Sequence, residues 1–195
     1  MIRFVVIFLA VLLSFPAANA QESEARKTTF GFLVMGGARY DNVRMCAGSP
    51  AGVKGGPIGD VMLSINHSFN EKNSVVFNIP VMRPILFAAA HNMLQFEPEA
   101  IYEMHKILSD KKDFIHGPGV GFSANYGPDY KSSTENPTES FFAIGPIVNY
   151  QIGLEFKAKH SHTIALKTFY TPLFSFDGHD NGHVVGSVIQ YSMHF

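Results

Sequence analysis

The chain has 195 residues, a formal net charge of −1, 46% hydrophobic and 16% charged residues, 18 Phe, no Trp and one Cys. A near-neutral chain has no basic excess with which to hold nucleic acid. A single cysteine excludes an internal disulfide, so an exported protein of this size must get its stability from another source.

Residues 1–20, MIRFVVIFLAVLLSFPAANA, carry a positive charge at Arg3, an apolar run from Phe4 to Phe15 and the small-residue pattern Ala18-Asn19-Ala20. This reads as a secretory signal peptide cleaved after Ala20. The apolar run is short for a membrane-spanning helix, which needs about 20 residues. Residues 21–27 then form a short polar, periplasmic lead-in, and residues 28–195 one domain.

Eight strands are predicted from the alternation of apolar and polar side chains. They run Thr28–Tyr40, Pro57–Phe69, Ser74–Phe87, Met93–Ile107, Asp113–Tyr126, Ser140–Lys157, His162–Ser175 and His183–Phe195. Three connections, Asn70-Glu71-Lys72-Asn73, Ser109-Asp110-Lys111-Lys112 and Ala158-Lys159-His160-Ser161, are short and polar. The alternate connections are longer and rich in Gly, Pro, Asp and Asn, except Ala88-Ala89-Ala90-His91, which reads as a tight turn. The segment around Leu94–Ser109 contains good helix formers. A helix would hold Pro98 in its interior at a cost of about 3 kcal/mol, so strand is preferred.

Two architectures fit such strands. In a soluble, lipocalin-like barrel the apolar face lines a ligand cavity. In an outer-membrane barrel the apolar face meets lipid and the small, polar face turns inward. Strand lengths of 12 or more residues, Gly on the polar face and short turns alternating with long loops favour the membrane. The fold class read from the sequence is therefore all-β, a closed eight-stranded antiparallel up-and-down transmembrane barrel.

The last strand ends on Tyr191, Met193 and Phe195 in phase. It resembles the C-terminal strand of bacterial outer-membrane β-barrel proteins, and the strand plan resembles the small barrels grouped around the OmpA membrane domain, OmpX and OmpW. The resemblance implies that this strand is read by the barrel-assembly machinery and closes the barrel against the first strand. It also implies a bacterial outer-membrane location, with lipid and lipopolysaccharide as neighbours. A monomer is expected.

The inward face is expected to carry Asp60, Glu97, Glu99, Glu103, Glu155, Lys157 and Lys167. Strict alternation points Arg83 at lipid. A bulge at Pro80 or Pro84 would turn it inward, toward Asp60 and Glu97. These groups form either a pore lining, a catalytic carboxylate pair or an ionic network that fills the lumen; the network is preferred, because eight strands leave room only for side chains. Met35, Met62, Ile101 and Phe141 are candidate lumen contacts for a small hydrophobic ligand, as a resemblance to OmpW-type barrels would imply. His179, Asp180 and His183 could hold a divalent cation, although short His/Asp loops are common without one. Cys46 reads as a lone thiol in the first long loop. No cofactor motif is found. The His-x-Ser-Asn run of PagL-type lipid A deacylases is absent, so a lipid-modifying enzyme is the alternative to a non-enzymatic barrel, structural or binding a small hydrophobic ligand.

Overall fold

A computed structural model describes residues 28–41, 54–91, 94–128, 140–176 and 181–195. The signal-peptide reading, the lead-in, Cys46, His179 and Asp180 lie outside these residues.

Nine strands and one helix are described: β1 (Thr28–Asp41), β2 (Gly56–Asn70), β3 (Asn73–Pro80), α1 (Met82–His91), β4 (Leu94–Phe96), β5 (Glu99–Ser109), β6 (Lys112–Pro128), β7 (Ser140–Lys157), β8 (Ser161–Ser175) and β9 (Gly182–His194). Apart from β4, strands that follow one another along the chain pair antiparallel, β1 pairs with β9, and the β6–β7 ladder closes the sheet on itself. β4 and β5 both pair with β6 and are two parts of one barrel strand, interrupted at Glu97-Pro98. The molecule is thus a closed eight-stranded antiparallel barrel. Proline lacks the N–H that a ladder needs, and the break falls on it. The Phe122 amide still bonds to the Pro98 carbonyl at 3.2 Å, so the interrupted strand stays attached to β6.

The alternation sorts the two faces. Ile189, Val120 and Phe30 are 65%, 62% and 59% exposed, whereas Leu33, Met62 and Val188 are at most 2% exposed. Side chains of a strand alternate between faces, so the exposed apolar set forms one continuous outer surface. Lipid is the solvent that such a surface fits. The inner face is crowded. A Cβ on Gly119 would lie 2.2 Å from Asn149 Oδ1 and 2.8 Å from Ile101 Cγ1, so only glycine leaves those two side chains room. At the entrance to β2, Gly55 has φ +108°, a conformation that L side chains rarely adopt.

The first strand boundary to be corrected is that of the third strand. It stops at Pro80 and does not continue to Phe87; Ala88-Ala89-Ala90-His91 is the end of α1 and not a tight turn. Pro84 sits in the first helical turn, where its missing N–H costs no hydrogen bond, and the following alanines favour helix. The β3–β5 ladder accordingly ends at Asn78↔Glu99. Beyond it α1 packs against β2 and β4, taking the position in the wall that a longer strand pair would have filled. The helix exposes Ile85 and Leu86, so the outer surface remains apolar there.

Candidate functional site

The lumen holds three groups of charged side chains, set out along the β4–β5 strand from the long-loop end to the short-turn end. The first is Asp60, Arg83 and Glu97. Arg83 Nε lies 3.2 Å from Asp60 Oδ2, and its Nη2 lies 2.8 Å from Glu97 Oε2. Asp60 Oδ1 accepts hydrogen bonds from the backbone amides of Val61 at 2.8 Å and Arg83 at 2.9 Å. The second bond fixes the start of α1 on β2. Arg83 therefore turns inward because its backbone has become helical, not through a strand bulge at Pro80 or Pro84. Ser123 donates to Glu97 Oε1 at 2.8 Å and receives a bond from Asn125 at 2.9 Å.

The second group centres on Glu99. Its Oε1 accepts from Lys167 Nζ at 2.5 Å and from Asn78 at 3.1 Å, and its Oε2 accepts from Asn149 at 2.9 Å. Ser64 bonds to Asn78 Oδ1 at 2.8 Å and to His194 Nε2 at 2.9 Å. Strands β2, β3, β5, β7, β8 and β9 are thereby tied together through the middle of the barrel. Both ions of the pair are almost fully buried, so each needs the other and the surrounding amides to offset its lost hydration.

The third group lies at the short-turn end. His105 Nδ1 is 3.2 Å from Glu155 Oε2 and 3.5 Å from Asp113 Oδ2, and its Nε2 is 3.0 Å from the Ser74 hydroxyl and 3.8 Å from Glu103 Oε2. Gln151 donates to Glu103 Oε1 at 2.5 Å. Lys157 reaches Asp113 Oδ2 at 2.7 Å from a side chain that is 41% exposed, so it enters the group from the mouth of the barrel.

The sequence-predicted polar residues Asp60, Arg83, Glu97, Glu99, Glu103, Glu155, Lys157 and Lys167 all fall on or at the mouth of the lumen, but in three separate groups. Asp113, and His105 as its partner, belong to the third group and were missed as site residues. The parity of each was readable, but the β6–β7 register that sets Asp113 opposite Glu155 was not. Arg39 and Asp41, buried at the long-loop end, were also missed.

Of the candidate ligand contacts, Met35 and Met62 line an interior cavity of about 20 Å³ beside Ile58, Ile147, Phe169, Arg83, Glu97, Glu99 and Lys167. That volume holds about one water molecule. Ile101 is fully buried away from the cavity. Phe141 lies opposite Gly127 in the β6–β7 ladder, and its side chain is outside what is described. His183 faces outward, with Nδ1 2.6 Å from the Tyr170 hydroxyl and its ring stacked on that tyrosine at 6.0 Å. Among the described residues the one group of three candidate metal ligands is elsewhere in the barrel and does not include His183.

The fold is that of the small eight-stranded outer-membrane β-barrel proteins. The chain is similar to the crystal structure of Neisserial surface protein A (TM-score 0.52, 7% identity, 85% of this chain and 97% of that one covered). Two further solved structures are the N-terminal β-barrel domain of Pseudomonas aeruginosa OprF (0.44, 7%, 88% and 100%) and Ail, the attachment invasion locus protein of Yersinia pestis (0.39, 12%, 87% and 99%). At such identities the likeness is one of fold alone. No protein-family model matches the sequence, and no curated protein matches it significantly.

Proposed function

We propose that the protein is a non-enzymatic, non-conducting barrel of the bacterial outer membrane whose lumen serves as a polar core. The single observation that carries this reading is the Glu99–Lys167 pair with its ring of amides, which bridges opposite walls at mid-depth. An ion crossing the barrel would have to break it. The cavity beside it admits about one water. The purified barrel in planar bilayers should give no steady conductance; large porin-like steps would refute the reading.

Export through a cleaved signal peptide, folding by the barrel-assembly machinery through Tyr191, Met193 and Phe195, and a monomeric state complete the proposal. Phe195 supports the assembly role by position: its amide bonds to the Phe30 carbonyl at 2.8 Å and its ring meets Phe32 at 6.3 Å, joining the last strand to the first.

One observation favours a second reading, in which the barrel binds a small hydrophobic ligand. Met35, Met62 and Phe169 form an apolar wall next to Arg83, which belongs to α1, and α1 packs against β2 and β4. A ligand with an apolar tail could enter if α1 swung away. A fatty acid should then raise the unfolding temperature of the wild-type barrel, and Met62→Lys should abolish that rise while the barrel stays folded. No shift with wild type would dismiss the ligand.

A further inference from the structure

Asp113 and Glu155 stand directly opposite each other across the β6–β7 ladder, and both point into the barrel. Like charges at directly opposed ladder positions are destabilising, and more so out of water. Glu103 adds a third carboxylate, through His105, within the same group. Lys157 is the one lysine in contact with it among the described residues. Three carboxyl groups and one ammonium thus meet around His105 in the lumen, so the group holds more acid than base. Asp113 is fully buried, and among the described residues its Oδ1 has no hydrogen-bond partner.

The donor atoms are placed as ligands to one ion would be. One oxygen or nitrogen atom from each of His105, Asp113 and Glu155 lies within 4.8 Å of the other two. Two ligands bound at about 2.1 Å with a tetrahedral angle between them stand about 3.4 Å apart. His105 Nδ1 is 3.5 Å from Asp113 Oδ2 and 3.2 Å from Glu155 Oε2. An outer shell is also in place: the Ser74 hydroxyl bonds His105 Nε2, which directs Nδ1 at the two acids, and the Ser161 hydroxyl bonds Glu155 Oε1. Ser161 also lines an open recess of about 440 Å³ at the short-turn mouth, with His160 and His194, so a residue bonded to Glu155 borders open space on that side.

We infer that His105, Asp113 and Glu155 form a divalent-cation site of mixed nitrogen and oxygen donors, suited to zinc or manganese. Lys157 occupies part of the same space with its ammonium and competes with the ion. The site staples β5, β6 and β7 together at the short-turn end, independently of the pairs that close the lumen above it.

The test is retention of zinc or manganese, offered separately, by the folded barrel in detergent after chelator stripping and dialysis. Heat-modifiable gel migration checks the fold of each variant. Wild type should keep about one ion per chain. Asp113→Asn and His105→Gln should weaken binding by at least about tenfold. Lys157→Gln, at a half-exposed side chain that threatens the fold little, should bind more tightly because its competing charge is gone. His183→Gln should bind as wild type does. Absence of retained ion from wild type overturns the proposal. So does unchanged or weaker binding in Lys157→Gln, and so does loss of the ion in His183→Gln, which would move the site to the long-loop end. If Asp113→Asn fails to fold, the wild-type, Lys157→Gln and His183→Gln results still decide.

Discussion

Arg83 reaches Glu97 Oε2 at 2.8 Å from the first turn of a helix and holds Asp60 with the same guanidinium. One cation thus joins β2, α1 and the residue at which the β4–β5 strand breaks. Removing it strands two carboxylates in the lumen. Arg83→Met should destabilise the barrel by about 3–5 kcal/mol, as expected when a buried ion pair loses one partner. The triple variant Asp60→Asn/Arg83→Met/Glu97→Gln should recover most of that loss, since the amides keep the Val61 and Ser123 hydrogen bonds without the charge. Urea unfolding of the refolded barrel, followed by tryptophan-free far-UV circular dichroism, measures both. A triple variant as unstable as the single one would show that packing around the Arg83 stem, and not charge, holds this corner.

Barrel closure depends on how near β1 and β9 can approach. A Cβ at Gly31 would meet the Met193 carbonyl oxygen at 1.9 Å, whereas a Cβ at Gly36 on the same strand meets nothing within 4 Å. Gly31→Val should therefore reduce the folded, heat-modifiable fraction severely, and Gly36→Ala should leave it near wild type. Equal folded fractions would show that the β1–β9 seam has slack.

Much of this architecture was legible because period-2 alternation is a local property. The sorting of Val61, Leu63 and Ile65 against Asp60, Ser64 and Asn66 needs no knowledge of which strand lies alongside. The same holds for Leu94–Ile107, where Pro98 argued against helix and now marks a strand break. The helix after β3 was not legible. VMRPILFAAAH is apolar but for Arg83 and His91, so it shows neither period, and Pro80 and Pro84 suggested a bulged strand. What decided the matter is that Asp60 accepts the Arg83 amide from another strand, a long-range contact that no local pattern reports. The Asp113–Glu155 juxtaposition was hidden for a related reason. It depends on the register across β6–β7, and the reading of the sequence placed Asp113 only at the start of a strand.

The last residue should matter more than its neighbour three positions before it. Phe195 is exposed on the outer face, its amide is bonded to β1, and its ring meets both Phe32 and His160, at 6.3 and 5.3 Å. Phe195→Asp puts a charge at the lipid interface and removes both ring contacts. Ser192 is buried in the lumen but makes no ring contact and carries no charge. Folded protein recovered from outer-membrane fractions should fall strongly for Phe195→Asp and little for Ser192→Ala. Equal recovery of the two variants would argue against a special role for the terminal aromatic.

Lys167 and Glu99 provide the sharpest test of the closed lumen. Their ion pair lies at mid-depth and is almost fully buried. Lys167→Ala removes both the long side chain and the charge, leaving Glu99 with Asn78 and Asn149 as its remaining donors. Two consequences follow in opposite directions of ease. Stability should drop by about 3–5 kcal/mol, because a buried carboxylate loses its counter-ion. The space vacated should join the adjacent cavity lined by Met35, Met62 and Phe169 and admit water. In planar bilayers the variant should then pass small, cation-selective currents where wild type passes none, since the remaining Glu99 attracts cations. The double variant Lys167→Ala/Glu99→Gln should lose that selectivity and regain part of the stability. If Lys167→Ala is destabilised yet stays non-conducting, the lumen is sealed at a second level, and the Asp60–Arg83–Glu97 group above it is the next place to open.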